Sequence, residues 1–509
     1  MAPEVDADIA RLAAGVRRGS IIAAAGCGKT EQIARAVGVS EHRRLILTHT
    51  HAGVDALTRR LKKLQIPSGK YRIDTIAGWC LRFAASFPRR SGILSTAPNS
   101  TAEWDAVYAA GACLLDSGAV DGVINSSYGG CFVDEYQDCT LQQHDVIRRL
   151  ANHLPTCVFG DPLQAIFDFR GQTPVSWEKD VFPNFGQAAE LATPWRWKNA
   201  GNEDLAEWLR AVRLALQKGE ILDLSNRPSC VTWTALPADP RHQQATVVRQ
   251  CLESMRDDLL GNLIVIGDST SENRRSALAQ KLAQQGFVNI EAVGCKTLFA
   301  TARAIDGSVG QARFKMLLAF AAKCMIGADK AELQRAVDAR QQGRRLGQAK
   351  FGDLLQLTDA IIQDGGDDSM LAFLQALRDR PGVRIYRREM YFAMQSALQT
   401  TTKTQPPSLH ASIWEVQNRS RHAGRRLGIR SIGSTLLVKG LEFDRAIVTS
   451  TDAMSGKDLY VALTRATKTI RIISPSVRFT PAAESALLTQ NNNSVEALRQ
   501  DKWQHVQRT

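Results

Sequence analysis

The sequence predicts an α/β fold: two units, each a parallel sheet flanked by helices, with helical insertions that are small in the first unit and larger in the second. Three observations carry that expectation. A chain of 509 residues exceeds what one hydrophobic core supports, so several domains are expected. Short apolar runs at 21–25, 44–48, 131–134 and 156–160, each ended by Gly, Thr or Asp, alternate with longer stretches of helical periodicity, the pattern of a parallel sheet wrapped by helices. That pattern restarts at "SCVTWTAL" (229–236) and "NLIVIGDS" (262–269) and returns at "RAIVTSTD" (445–452) and "TIRIISPS" (469–476), with a helical, basic stretch over about 296–415 between them.

Composition narrows the partners. With 44% hydrophobic residues, 23% charged and no long low-complexity tract, the chain reads as soluble and globular. Its net charge of +13, with no acidic tail, favours a polyanionic partner, nucleic acid before membrane. "MAPEVDADIARLAAG" lacks the layout of a signal peptide, and no apolar run reaches the roughly eighteen residues a membrane span needs. Ten cysteines are scattered singly, without a C-x-x-C pair, which argues against a zinc site or disulfide framework and fits a cytoplasmic location.

The first chemistry-bearing stretch is "IIAAAGCGKTEQIARAV" (21–37). A phosphate loop needs small residues so that backbone N–H groups can surround phosphates, a lysine for charge, and a hydroxyl for magnesium. Ala25, Gly26, Cys27, Gly28, Lys29 and Thr30 supply these between a strand and a helix, with Ala23 where glycine is commoner. "CFVDEYQD" (131–138) is an apolar strand ending in paired acids. Beside a phosphate loop, Asp134 is placed to hold Mg²⁺ with Thr30, and Glu135 to orient and deprotonate an attacking water, which leans toward ATP hydrolysis.

"VDEYQD" followed by "VFGDPLQAIFDFRG" (158–171) resembles motifs II and III of the UvrD/Rep/PcrA family of superfamily 1 DNA helicases. Further resemblances follow in the family's order: "LILTHTHAGVDALTRRL" (45–61) to motif Ia, "YRIDTIAGWCLRFA" (71–84) to Ib, "LATPWRWKNA" (191–200) to IV, "STLLVKGLEF" (434–443) to V and "LYVALTRATKTI" (459–470) to VI. The short length and reduced insertions look most like the compact UvrD-like helicases of bacterial antiphage systems, such as the helicase-like subunit of Gabija, which pairs with an OLD-family nuclease.

The resemblance implies two RecA-like P-loop domains that clamp ATP. It divides the chain into 1–81 and 128–190 around a small helical insertion, 82–127; then 191–295 and 416–480 around the basic helical insertion 296–415; and a tail, 481–509. It implies that Gln164 senses the γ-phosphate, that Arg196 and Arg465 act as arginine fingers, that Trp195 stacks on adenine and that Glu442 lies near the ribose. Single-stranded DNA would meet His49, Thr75, Phe167, Phe169 and Arg170.

Departures from the pattern matter too. No glutamine precedes the phosphate loop in "VDADIARLAAGVRRGS" to read adenine, and Ala52, Ala77 and Leu436 stand where the family has lysine or histidine on the DNA track. Basic clusters at 340–347, 384–389 and 418–430 ordinarily mean only a solvated helix face; with Tyr386 and Tyr391 interleaved, they read also as a nucleic-acid surface or, comparably, a protein docking face. The expected function is an ATP-dependent helicase or translocase moving 3′ to 5′ on single-stranded DNA. The alternatives are a DNA- or nucleotide-sensing ATPase that licenses a partner nuclease, and a DNA-binding scaffold whose ATP site only switches conformation.

Overall fold

The computed structural model describes residues 2–98, 100–167, 173–267, 271–292, 294–344, 347–363, 365–404, 408–422 and 427–482. They form two compact units. The first runs to Leu222 and includes Gly456–Lys468; the second comprises Asp223–Ser455 and the described residues beyond Lys468.

The first unit is built on six parallel strands: β1 (Arg18–Ala23), β2 (Arg44–Thr48), β3 (Tyr71–Thr75), β4 (Gly130–Val133), β5 (Thr156–Gly160) and β6 (Gln187–Leu191), in the spatial order β3-β2-β4-β5-β1-β6. β2, β4 and β5 are buried along their whole length, which is why they read as unbroken apolar runs rather than alternating ones. Their side chains still divide by the two-residue period of a strand. Leu45, Leu47, Cys131, Val133 and Val158 enter one core with Trp79, Val107 and Ile147; Ile46, Phe132, Cys157 and Phe159 enter the other with Ile33, Val37 and Leu61. Because the strands are parallel, the loops after β1, β4 and β5 emerge at one carboxyl edge, where open α/β sheets place their ligands.

Helices fill the stretch between β3 and β4: Ile76–Ser86, Pro88–Ser91, Thr101–Asp116 and Asp121–Ser127. Among the described residues no single helix is long and apolar enough to cross a membrane. The last two of these helices satisfy that length and composition only as a pair bent by 92°. They bury Val107, Leu114, Leu115 and Ile124 in the first unit's core.

The second unit carries another six-stranded sheet, ordered Phe287–Asn289, Arg430–Ser434, Leu263–Gly267, Phe443–Val448, Ala466–Ser474 and Val231–Ala235. Its described pairings are parallel, with Leu263 opposite both Arg430 and Arg445. From Lys296 to His422 the chain is mostly helical and packs around its own core, including Phe314, Leu317, Phe373, Leu377, Tyr391 and Ile413. A two-residue antiparallel ladder, Met325–Ile326 with Arg384–Ile385, interrupts the helices.

The helices Glu203–Lys218 and Gly456–Leu463 belong to the first unit. One feature differs from the sequence-based expectations. Tyr386 and Tyr391 do not join the basic surface: they are 3% and 0% exposed, and the Tyr391 hydroxyl donates to the Leu374 carbonyl at 2.9 Å. Apolar packing claims both rings, and adjacency in sequence to arginines does not put an aromatic on the arginines' face.

Candidate active site

β1 ends in the loop Ala24–Gly28, which turns directly into the helix Lys29–Val39. Gly26 and Gly28 adopt left-handed backbone (φ 74° and 80°), which side chains resist, and the turn closes through Cys27 N–H donating to Ala24 O at 3.1 Å. Gly28 brings no side-chain cap to the helix, so the helix start keeps backbone N–H groups suited to an anion. A Cβ at Gly26 would lie 2.7 Å from the Trp197 ring, and one at Gly28 would lie 3.2 Å from the Trp195 indole. Gly26 is therefore required by shape as well as by φ, while Gly28 is required by φ and closely approached by Trp195.

The Lys29 ammonium faces the paired acids. Its Nζ lies 3.3 Å from Asp134 Oδ1 and 2.5 Å from Glu135 Oε2. Burial alone would lower the Lys29 pKa, but Asp134 and Glu135 outweigh it and hold the ammonium above its ordinary value. Asp134, 4% exposed, is pushed up by burial; Lys29 pulls it down while Glu135 raises it further. Glu135 sits just past β4 with φ 54°, an uncommon conformation for a residue with a side chain, and its N–H donates to Asp134 Oδ1 at 2.9 Å. Its side chain is 35% exposed, the most accessible of the three.

A second ring of groups lies behind these. Gln137 Nε2 donates to Glu135 Oε2 at 2.5 Å, and Gln137 Oε1 accepts the Asp161 N–H at 3.0 Å. Gln164 Nε2 donates to Asp161 Oδ2 at 2.8 Å, and Arg465 Nη2 reaches Gln164 Oε1 at 3.5 Å. Arg465 is 1% exposed and also donates from Nε to the Val461 carbonyl at 2.8 Å. Arg196 lies on the phosphate loop: its N–H donates to Gly26 O at 3.1 Å and its Nη1 to Thr464 O at 2.6 Å. Both arginines thus sit with the unit that carries the loop. A cavity of about 790 Å³ opens beside the loop, lined by Ala25, Cys27, Pro194, Trp197, Arg213 and Tyr460 among others.

The remaining candidates fare differently. His49 and Phe167 are half-buried neighbours, ring centroids 5.9 Å apart. Thr75 is 4% exposed, and its hydroxyl accepts the Gly78 N–H at 2.9 Å, capping the helix Ile76–Ser86. Its local use is thus as a cap. Phe169 and Arg170 lie outside the described residues. Glu442 is exposed in the second unit, directly before the strand Phe443–Val448.

Thr30, half-buried at the helix start, and Asp134 offer hard oxygen donors of the kind Mg²⁺ prefers, beside a cradle whose glycines exclude a Cβ, so the residues fit a metal–nucleotide. Among the described residues the one cluster of three metal-ligand types is Glu272, Glu291 and Cys295 in the second unit. There the Arg387 guanidinium already binds both carboxylates, which makes it an ion-paired node.

Sequence reasoning assigned no role to Gln137, Asp161, Arg213 or Tyr460. Three lie inside the quoted stretches, where their polarity beside apolar strands was a usable signal. Arg213 lies outside every motif and looks like one more charge on an amphipathic helix.

Residues 104–179 match the model of the UvrD/REP helicase N-terminal domain, a segment holding Asp134, Glu135 and Gln164. No curated protein matches. Similar solved structures include arterivirus nonstructural protein 10, a helicase, in complex with DNA (10% identity, TM-score 0.34, covering 92% of this chain and 63% of that one). The PRRSV helicase is another (12% identity, TM-score 0.33, 94% and 57%). The chain spans about 63% and 57% of the lengths of these proteins.

Proposed function

We propose that this chain is an ATP-dependent DNA helicase or translocase of the UvrD-like, superfamily 1 type. The observation that carries the reading is the Lys29–Asp134–Glu135 cluster, a phosphate-loop lysine paired to two strand-end acids. When nucleotide enters, Lys29 exchanges its acid partners for phosphate oxygens. Thr30 and Asp134 would hold Mg²⁺, whose chemistry here is to neutralise charge on the phosphates. Glu135, released from Lys29 and still held by Gln137, orients a water and accepts its proton. Gln164, Arg196 and Arg465 offer donors to the charge that builds on the transferred phosphoryl group. Trp195, beside Gly28, offers an indole face to the base. In the second unit, Glu442 is assigned to the ribose.

For DNA, a net charge of +13 supplies the polyanion attraction, and Phe167 beside His49 supplies a stacking surface that Phe169 and Arg170 would extend. Analogy with the resembled family gives 3′ to 5′ movement on single-stranded DNA. The resemblance to compact UvrD-like helicases of antiphage systems extends the proposal to a complex with an OLD-family nuclease. A second reading is favoured by Thr75, whose hydroxyl is engaged in a cap, and by Ala77 and Leu436 in place of track histidines: an ATPase that senses DNA or nucleotide and regulates a nuclease without unwinding. ATP turnover measured with and without single-stranded DNA, followed by strand displacement, tests both. The helicase reading expects stimulation and unwinding; stimulation without displacement selects the second, and no ATP turnover under either condition defeats both.

A further inference from the structure

The groups assigned to the chemistry are joined by a buried relay whose centre is Asp161. This carboxylate closes β5 and is 0% exposed. Its Oδ1 accepts from Arg213 Nη1 at 2.7 Å and from the Leu163 N–H at 3.2 Å, while Oδ2 accepts from Gln164 Nε2 at 2.8 Å. Through its own N–H it fixes the Gln137 carboxamide, which in turn holds Glu135. Arg213 reaches in from the helix Glu203–Lys218, 6% exposed, and its Nη1 also donates to the Tyr460 hydroxyl at 3.0 Å. That hydroxyl accepts the Ala25 N–H of the phosphate loop at 3.1 Å, and the guanidinium lies 5.2 Å over the Tyr460 ring.

One guanidinium therefore ties the backbone of the phosphate loop to the carboxylate that aims both glutamines. Asp161 needs that cation, since a carboxylate so deep without a partner is strongly unfavourable. A charge-assisted hydrogen bond fixes its rotamer more firmly than a neutral one could. The tyrosine adds what the ion pair lacks, an acceptor for the Ala25 N–H of the loop.

We propose that Arg213 and Tyr460 are positioning residues for nucleotide turnover: they set Gln164 and Glu135 in register with the phosphate loop without touching the nucleotide. This rests on the hydrolase reading of the same site. It goes beyond that reading by placing control of the reacting geometry on a helix that carries none of the reacting groups.

The test uses the full chain with Mg²⁺ and ATP, comparing Tyr460→Phe, Arg213→Lys, Gln164→Ala and the double variant Tyr460→Phe/Gln164→Ala. Tyr460→Phe is expected to melt close to the parental temperature and keep KM within about threefold, while kcat falls roughly 10–100-fold, as misplaced groups do. Arg213→Lys, which retains the charge and loses the planar fork, is expected to follow it in kcat. The double variant should lose less kcat than the product of the two single losses, because part of the Tyr460 effect passes through Gln164 and the rest through Glu135. A role confined to stability would instead lower the melting temperature, leave kcat per folded molecule unchanged and give multiplicative losses; that result overturns the proposal. Parental kcat in both single variants overturns it as well, and leaves the hydrolase reading standing. A parental chain that turns over no ATP defeats that reading, and the proposal with it.

Discussion

Lys29 and Arg387 solve the same problem of charge, one cation facing two acids, and solve it in opposite ways. In the second unit Arg387 is 5% exposed and holds Glu291 in a fork, Nε to Oε1 at 2.6 Å and Nη2 to Oε2 at 2.8 Å, with Glu272 on the same Nη2. Neighbouring backbone is closed as well: the Arg387 N–H donates to Cys324 O at 3.1 Å and the Glu291 N–H to Glu389 Oε2 at 2.9 Å. The planar guanidinium is a geometry that only a matching carboxylate can occupy. Lys29 is a point charge on a flexible stem, and one of its acids, Glu135, keeps a 35% exposed side chain. The saturated pair joins the helical segment to the sheet; the loose pair can trade its acids for phosphate. Similar charges in similar numbers thus make a closed fastening in one unit and, in the other, the open cluster on which the proposed hydrolase reading rests.

The largest expected effect separates the two directly. Glu135→Gln keeps the Gln137 contact and loses the base, so turnover should fall about 10²–10⁴-fold with little change in melting, read by steady-state ATP hydrolysis. A variant that hydrolyses at the parental rate would make the first cluster as structural as the second. Arg387→Leu should behave in the converse manner: stability drops about 3–5 kcal/mol in denaturant titration because Glu291 is left buried without a cation. Turnover per folded molecule should hold; a selective loss of activity there would break the contrast. A smaller change sharpens it. Gly26→Ala places a side chain in left-handed backbone against Trp197, costing about 1–2 kcal/mol and weakening nucleotide binding, as calorimetry would register. The smallest concerns Cys27, whose thiol is pushed up to about 12 by burial, with Asp161 adding to it. Little thiolate exists at neutral pH, so iodoacetamide should label the exposed Cys113 well before Cys27, as peptide mapping would show.

The sequence made β2, β4 and β5 legible because buried parallel strands are unbroken apolar runs. It concealed β3 ("YRIDT") and β6 ("QAAEL"), which sit at the edges of their sheet and mix exposed with buried positions. Phe287–Asn289, at three residues, is too short for any period to register. The candidate site divides along similar lines. Lys29 and the acids were readable because each belongs to a local strand-to-loop pattern. The Arg213 contacts to Asp161 and Tyr460 span 52 and 247 residues, and no window along the chain can hold such a pair. Thr75 carries a local role that its motif did not signal, the cap of the helix Ile76–Ser86.

The left-handed backbone at Glu135 has a consequence for how this chain can change over generations. An L-residue in that conformation gives up roughly 1–2 kcal/mol that glycine would keep. With Glu135 as the proposed base, heat and turnover pull position 135 in different directions. A library screened only for surviving incubation at high temperature should enrich Glu135→Gly, and the survivors, sturdier than their ancestor, would be inert toward ATP. The acid persists at that turn only while something rewards its activity.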